Sequence, residues 1–279
     1  EGAYIATGKT CDMTQEELVT MMVARNLSQY YVKTPHEIGE SVLAVEGMCL
    51  PGRLYDISFS LRRGEILGFA GLVGAGRTEI VETLFGLRKK SAGTIRIKGE
   101  EVQINSIQDA IHHGIALATE DRKKYGLVLG LSVRQNVCVC WLDHLCDKLG
   151  FVRKNKEYPV VADMIRNLKI KTPSQSQQVA NLSGGNQQKI VLAKWLCTSP
   201  DILILDEPTR GIDVGAKAEI YGIMDELTKA GKSIIMISSE MPEIIGMSDR
   251  VLIVSEGRIK GELTGKDIDQ ENVIRYAAG

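Results

Sequence analysis

The octet Leu-Ser-Gly-Gly-Asn-Gln-Gln-Lys at residues 182–189 and the run Ile-Leu-Ile-Leu at 202–205 decide the fold of this chain. The apolar run ends in Asp206, Glu207 and Pro208. A continuous apolar run is typical of a strand buried on both faces of a parallel sheet, and such sheets carry functional side chains at the carboxyl ends of their strands. Because a buried, unpaired carboxylate is costly, two acids at this position indicate a functional role.

A glycine-rich stretch lies upstream of the octet. Gly-Leu-Val-Gly-Ala-Gly-Arg-Thr at residues 71–78, the phosphate loop, follows the apolar run 66–70 and precedes a helical pattern. It matches the phosphate-binding pattern G-x-x-x-x-G-K-[ST], except that Arg77 replaces the lysine. Arginine is longer, planar and forked, so it cannot occupy the site of a lysine ammonium without displacement. We therefore expect nucleotide binding with slow cleavage of the γ-phosphate.

The phosphate loop, the octet and the acidic strand end occur in the order that characterises ABC ATPases, and the chain resembles the nucleotide-binding domain of that family. The octet separates ABC ATPases from other P-loop enzymes. The resemblance implies an α/β fold, a P-loop NTPase of ABC type. Its RecA-like core would carry an antiparallel β subdomain and a helical subdomain inserted at about residues 121–198.

The composition is that of an ordinary soluble globular protein. The chain has 279 residues, of which 44% are hydrophobic and 25% charged, and its formal net charge is −1. This balance creates no strong field for a polyanion, so we expect no nucleic-acid partner. No apolar run reaches the roughly 18 residues of a membrane span, so a role at a membrane would be peripheral.

The six cysteines do not form the framework of a small secreted domain, and we expect free thiols in a reducing compartment. Cys138, Cys140, His144 and Cys146 could be metal ligands. Their spacing matches no common zinc pattern, so small buried hydrophobes on a helix are the favoured interpretation.

The two ends of the chain resemble each other. Residues 1–21 align without gaps on 256–276, with Asp12 on Asp267 and Gln15 on Gln270. Repeats indicate duplicated domains, although a chance likeness of two amphipathic helices is the alternative. We predict four regions: residues 1–27, the tail of a preceding homologous ABC domain with a helix at about 14–23; 28–42, a linker; 43–255, the ABC nucleotide-binding domain; and 256–279, a C-terminal tail.

In ABC ATPases these motifs bind ATP or ADP with Mg²⁺, and the resemblance assigns roles residue by residue. The candidate nucleotide-binding residues are Gly71, Val73, Gly74, Ala75, Gly76, Arg77, Thr78 and Glu79, together with Ser183, Gly184, Gly185 and Gln187 of the octet. Thr78 and Asp206 are the candidate ligands of Mg²⁺, and Glu207 is the candidate general base that polarises the attacking water.

Two further elements depart from the family pattern. The loop after the strand at 115–119 normally carries glutamine, and Glu120 stands there. We place Glu240, after Ser239, at the position of the family's switch histidine. An ionised glutamate only accepts hydrogen bonds and would repel a γ-phosphate. No aromatic residue is evident for stacking on adenine; Tyr55 is near, but packing explains it equally well.

The elements that ABC domains present to an opposing domain are kept. The octet opens a helix whose N-terminal donors can bind a γ-phosphate, which in this family belongs to the opposing subunit. Thr-Arg-Gly-Ile-Asp at 209–213 resembles the D-loop that crosses the dimer interface. This asymmetry predicts a tandem ATPase in which the chain's own site is degenerate, while its octet completes the site of the sibling domain.

The whole chain looks like the second ATP-binding domain of bacterial monosaccharide importers of the ribose, galactose, xylose and arabinose type, with the stretch 120–133 favouring ribose. The resemblance implies a sugar-translocating ATPase, peripheral on the cytoplasmic face of the membrane and weak or inactive as an isolated domain. Its partners would be the preceding homologous ABC domain, an integral-membrane sugar permease and, indirectly, a periplasmic or lipid-anchored sugar-binding protein.

Two other functions stay open at this point. A soluble ABC ATPase of DNA repair or translation would usually carry a coiled-coil, zinc or basic insertion. A purely regulatory nucleotide sensor would bind nucleotide without turnover, and an assay of hydrolysis with and without the sibling domain separates it from half of an enzyme.

Overall fold

The computed structural model describes residues 7, 31 and 33–278. The predicted tail of a preceding domain, residues 1–27, lies outside the described residues except for Thr7, and so does the helix expected at 14–23.

An alternating pattern of apolar and polar side chains builds an antiparallel sheet. In spatial order its strands are β2 (Leu54–Arg62), β1 (Ser41–Leu50), β4 (Ala92–Ile97) and β5 (Glu100–Val102). In β2 the side chains of Ile57, Phe59 and Leu61 are buried and Ser58 is exposed, as expected for a strand with one face on the core. This is the predicted antiparallel β subdomain.

The central sheet is mostly parallel. In spatial order its strands are β10 (Arg258–Thr264), β9 (Arg250–Ser255), β3 (Ile66–Ala70), β8 (Ser233–Ile237), β7 (Ile202–Asp206) and β6 (Ile115–Ala118). Every neighbouring pair from β9 to β6 is parallel, and β10 pairs antiparallel with β9. Because β3, β8, β7 and β6 are neighbours, the residues that follow their carboxyl ends meet at one edge of the sheet.

The helices follow the predicted division into core and insert. Between β6 and β7 the chain forms α3 (Val133–Cys138), α4 (Leu142–Leu145), α5 (Lys154–Asn167) and α6 (Gly184–Leu196), with a π-helical turn at Arg122–Gly126. The other helices are α1 (Arg77–Leu84), α2 (Ile107–His112), α7 (Val214–Lys229), α8 (Met241–Met247) and α9 (Gln270–Ala278). In the described part of the chain, no helix combines the length and apolarity that crossing a membrane requires.

The predicted linker and C-terminal tail belong to the folded unit as far as they are described. The N–H and hydroxyl of Thr34 donate to the carboxylate of Asp225 on α7 at 2.7 and 2.8 Å, and β1 begins within the range assigned to the linker. At the other end, β10 extends the central sheet and Val273 of α9 is fully buried. The expected boundaries at 42 and 255 therefore fall inside packed structure.

The cysteines of the helical insert behave as apolar side chains. Cys138 is fully buried, and burial raises the pKa of its thiol to about 12, as it does for Cys197. A thiol with so high a pKa is a poor metal ligand or nucleophile. Within residues 33–278, no three Cys, His, Asp or Glu side chains are grouped as the ligands of a metal ion.

Candidate functional site

The phosphate loop connects β3 to α1. Gly71, Gly74 and Gly76 have φ angles of 152°, 82° and 108°. A Cβ on Gly71 would lie 2.2 Å from the carbonyl oxygen of Val254, so only glycine fits there. The turn leads into the N-terminus of α1, whose first N–H groups have no acceptor within the helix. The loop therefore offers backbone donors and a positive helix end to an anion.

A cavity of about 360 Å³ opens over the loop. It is lined by Val73, Gly74, Ala75, Gly76, Arg77, Thr78, Glu79, Glu120, Glu207, Arg210, Ile237 and Ser239. The structure thus brings together the predicted loop, the acid after β7 and the segment after β6. Of the described residues, those that line this cavity include none from 183–187, so the octet lies elsewhere on the domain.

Arg77 reaches past the loop to the end of β8. Its side chain is buried, and Nη1 donates to the carbonyl oxygen of Ser238 at 2.9 Å. Burial lowers the pKa of this guanidinium, and the charges of Glu207 and Asp206 oppose that shift. One N–H donor of the guanidinium that would face a ligand is therefore already hydrogen-bonded to the protein's own backbone.

Thr78 and Asp206 meet where β7 ends. The hydroxyl of Thr78 donates to Oδ2 of Asp206 at 3.1 Å. Burial raises the pKa of Asp206 to about 6. A hydroxyl and a carboxylate side by side are hard oxygen donors, and they fit a cation such as Mg²⁺.

Glu207 has the features of a functional residue. Its φ of 51° is uncommon for a residue other than glycine, and such conformations concentrate at functional sites. Burial raises the pKa of its carboxyl group, and Oε2 accepts a hydrogen bond from the hydroxyl of Ser239 at 3.0 Å. This contact holds a side chain that lines the cavity.

The prediction that Glu240 occupies the switch position is wrong. Ser239 is the side chain that contacts Glu207, whereas the carboxylate of Glu240 pairs with Lys217 on α7. The hydroxyl of Ser238 accepts from the backbone N–H of Glu240 at 3.0 Å, and Glu240 is not among the residues that line the cavity. Because a serine hydroxyl can donate, the repulsion argued for Glu240 does not apply.

Two other acids of the site have basic neighbours. Glu120 lines the cavity, as expected, and its carboxylate pairs with Arg210. Glu79, in the first turn of α1, lies 3.9 Å from a guanidinium nitrogen of Arg53. Tyr55 is 42% exposed and lies beneath the guanidinium of Arg258, so it is not a core packing residue.

The octet divides into an exposed turn and a buried helix. Ser183 is exposed and occupies the N-cap position of α6, its hydroxyl accepting from Nδ2 of Asn186 at 2.9 Å, and Gly184 is partly exposed. A Cβ on Gly185 would lie 2.4 Å from that of Ala216, so Gly185 allows close contact with α7, and its predicted role at a nucleotide stays a prediction. The prediction for Gln187 needs correction. Gln187 is buried and donates to backbone carbonyls at 3.1 and 3.2 Å, which stabilises the turn rather than facing a ligand.

Sequence reasoning missed a buried acid, Glu243. Its two carboxylate oxygens accept from the hydroxyl of Thr209, at 3.0 Å, and from that of Ser238. Burial raises the pKa of Glu243. The side chain joins the segment after β7 to the segment after β8, two stretches that are far apart in sequence. The sequence carried no signal of this contact beyond an acid close to Ser239.

Comparisons with known proteins identify the family of the chain. A family model described as ABC transporter matches residues 54–210, more than half of the chain. The ribose import ATP-binding protein of Clostridium tetani is 48% identical over 99% of this chain and 55% of its own length. The galactose/methyl galactoside import ATP-binding protein of Photobacterium profundum is 49% identical over 99% of this chain and 56% of its own. The chain thus spans about half the length of these relatives.

Solved structures show the same fold at low sequence identity. An ATP-binding cassette of an ABC transporter in its ADP conformation has a TM-score of 0.73 and 19% identity, and covers 86% of this chain and 99% of its own. Part of an ABC transporter complex from Clostridium perfringens has a TM-score of 0.71 and 23% identity, covering 85% and 94%. Together with the family match, the fold and the site geometry show that the chain belongs to the ABC transporter family and has the fold of its ATP-binding cassettes.

Proposed function

We propose that the chain is the second ATP-binding domain of a monosaccharide importer of ribose type, with a degenerate nucleotide site of its own and an octet that completes the site of a preceding homologous domain. The names of the relatives support a ribose or galactose importer. A chain that spans about half of their length is consistent with one domain of a tandem pair.

The observation that carries the proposal is a difference in location: the residues that depart from the family pattern and the octet residues that match it lie at different places on the domain. The altered residues line the chain's own cavity and are engaged by the protein itself: Arg77 with the carbonyl of Ser238 and Glu120 with Arg210. The kept residues Ser183 and Gly184 lie outside that cavity, on accessible surface. A nucleotide held by another domain is the ligand that such a surface fits.

The residues of the chain's own cavity support binding of ATP or ADP. Backbone donors of residues 74–78 would hold the phosphates, and Thr78 with Asp206 would hold Mg²⁺. The cation supplies charge neutralisation when it is bound. Glu207, positioned by Ser239, can orient a water molecule and accept its proton.

The proposed partners follow from the importer assignment. A permease in the membrane would bind the domain on the cytoplasmic face, and a periplasmic or lipid-anchored sugar-binding protein would act through the permease. A formal net charge of −1 creates no strong field for a polyanion, so we propose no nucleic-acid partner.

We expect Mg²⁺-dependent nucleotide binding at this cavity to weaken as the pH falls through about 6. A metal ligand must be deprotonated, and Asp206 is increasingly protonated below its pKa of about 6. Calorimetric titration with ADP should show the Mg²⁺ contribution falling by up to about tenfold per pH unit below that value, and binding without Mg²⁺ changing less. Asp206→Asn is the control and should abolish this pH dependence; an undiminished Mg²⁺ contribution at about pH 5 would contradict the assignment.

The proposed degenerate site is tested by Arg77→Lys in the purified chain. We expect nucleotide binding and slow phosphate release, with turnover within about threefold of the parent chain, because Glu120 and Ser239 remain and residues that act as a unit are not additive. Glu207→Gln sets the background of the assay. Robust turnover in the parent chain that Glu207→Gln abolishes, or its restoration to about 1–10 per second by Arg77→Lys, would refute the proposal.

A further inference from the structure

Arg122 contacts two motifs that are distant from it in sequence. It follows β6 and opens the π-helical turn Arg122–Gly126. Its Nη1 donates to the carbonyl oxygen of Arg210 at 2.6 Å, and its Nη2 donates to that of Gly211 at 3.0 Å. Both acceptors belong to the D-loop, so one planar guanidinium holds two successive carbonyl groups of that loop.

The same guanidinium lies against the octet. A Cβ built on Gly184 would be 2.9 Å from Nη2 of Arg122 and 3.1 Å from the carbonyl oxygen of Gly211. Gly184 therefore lies against both the Arg122 guanidinium and the D-loop carbonyl at this contact. Arg122 thus occupies the point where the octet and the D-loop meet.

The π-helical turn that carries Arg122 is fixed at both ends. The carboxylate of Asp121 accepts from the backbone N–H groups of Lys123 and Lys124 at 3.0 and 3.1 Å. The carbonyl oxygen of Gly126 accepts from Nζ of Lys194, on the octet's helix α6, at 2.7 Å. Such π-helical turns are rare and frequently occur at functional sites.

We infer that Arg122 is a positioning residue that fixes the D-loop and the octet's exposed turn relative to the segment after β6. The inference rests on the proposed function, because it gives these two motifs the task of completing a site in another domain. Arg122 itself does not line the chain's own cavity, although Arg210, one of whose groups it holds, does. The contact with Gly184 of the octet places its main effect on the geometry presented to that domain.

The test is Arg122→Ala and Arg122→Lys in the complete transporter, measuring kcat and KM for ATP together with Tm. Loss of two hydrogen bonds from a charged donor should lower kcat about tenfold for Arg122→Ala, with KM and Tm nearly unchanged. Lysine keeps the charge but cannot span both carbonyls, so Arg122→Lys should recover part of the loss. Arg166→Ala, which removes an exposed pair with Asp163, is the matched control and should behave like the parent protein.

A wild-type kcat for Arg122→Ala overturns the inference. So does a change that appears mainly in the KM for ATP, or a loss of activity that accompanies a large fall in Tm which Arg122→Lys does not restore. If Arg122→Ala does not fold, Arg122→Lys decides: a kcat about threefold or more below the parent value supports the inference, and a parental kcat overturns it. Ser183→Arg, assayed alongside, separates failure of the proposed function from failure of the inference about Arg122. If Ser183→Arg is as active as the parent protein, the proposed function fails. If Ser183→Arg is inactive while Arg122→Ala is not impaired, only the inference about Arg122 fails.

Discussion

Ser183→Arg is expected to lower the ATP turnover of the complete transporter by about 10²–10³-fold, the loss typical of removing a preorganised donor to a reacting oxyanion. Ser183 is exposed at the N-terminus of α6, next to Gly184. An arginine side chain there would fill the space into which a phosphate held by the sibling domain must fit. The measurement is phosphate release in membranes that contain the permease, together with sugar uptake.

Ser176→Arg is the matched control for this variant. Ser176 is exposed and lies in the same helical insert, seven residues before Ser183 and outside the octet. Ser176→Arg adds the same charge to the same subdomain and should leave ATP turnover near the parental value. Arg77→Ala should weaken nucleotide binding to the chain's own cavity while turnover stays measurable. An inactive Arg77→Ala together with an active Ser183→Arg would show that the competent site is the chain's own.

The features of the site that are local in sequence could be predicted from it. The phosphate loop and the acids after β7 each depend on a strand, a turn and the residues that follow immediately. Glycine spacing and an apolar run ending in Asp206 and Glu207 therefore identify them. The two sheets and the helical insert were likewise expected, because the periodicity of apolar residues and the family resemblance both indicate them.

The errors have a common physical origin in the direction of individual side chains. Glu240 and Ser239 are neighbours, and only the turn after β8 decides which of them faces Glu207. Gln187 lies on a helix whose buried face could not be assigned from the octet alone. Arg122 is 88 residues from Arg210, and no local pattern predicts a contact over that separation.

Glu65→Ala is expected to destabilise the domain by about 3–5 kcal/mol, because it removes the buried partner of Arg250 and leaves only Glu262, which is 48% exposed. The side chains of Glu65 and Arg250 are 3% and 8% exposed. Nε and Nη2 of Arg250 donate to the two oxygens of Glu65 at 2.7 and 3.1 Å. Glu65 directly precedes β3, whose other end carries the phosphate loop, so this pair fixes the start of the strand that positions the site.

Urea denaturation of the purified variants measures this effect, and a loss of about 3 kcal/mol corresponds to a Tm lower by roughly 6–12 °C. Glu262→Ala is the matched control, since Glu262 pairs with the same arginine at 3.2 Å but is 48% exposed. Because exposed ion pairs contribute little, we expect a loss below about 1 kcal/mol there. Replacing both buried partners, as in Glu65→Leu with Arg250→Met, should recover much of the stability, since the cost arises from a buried charge that has lost its buried partner. Equal losses for Glu65→Ala and Glu262→Ala would contradict this account and show that burial does not distinguish the two acids.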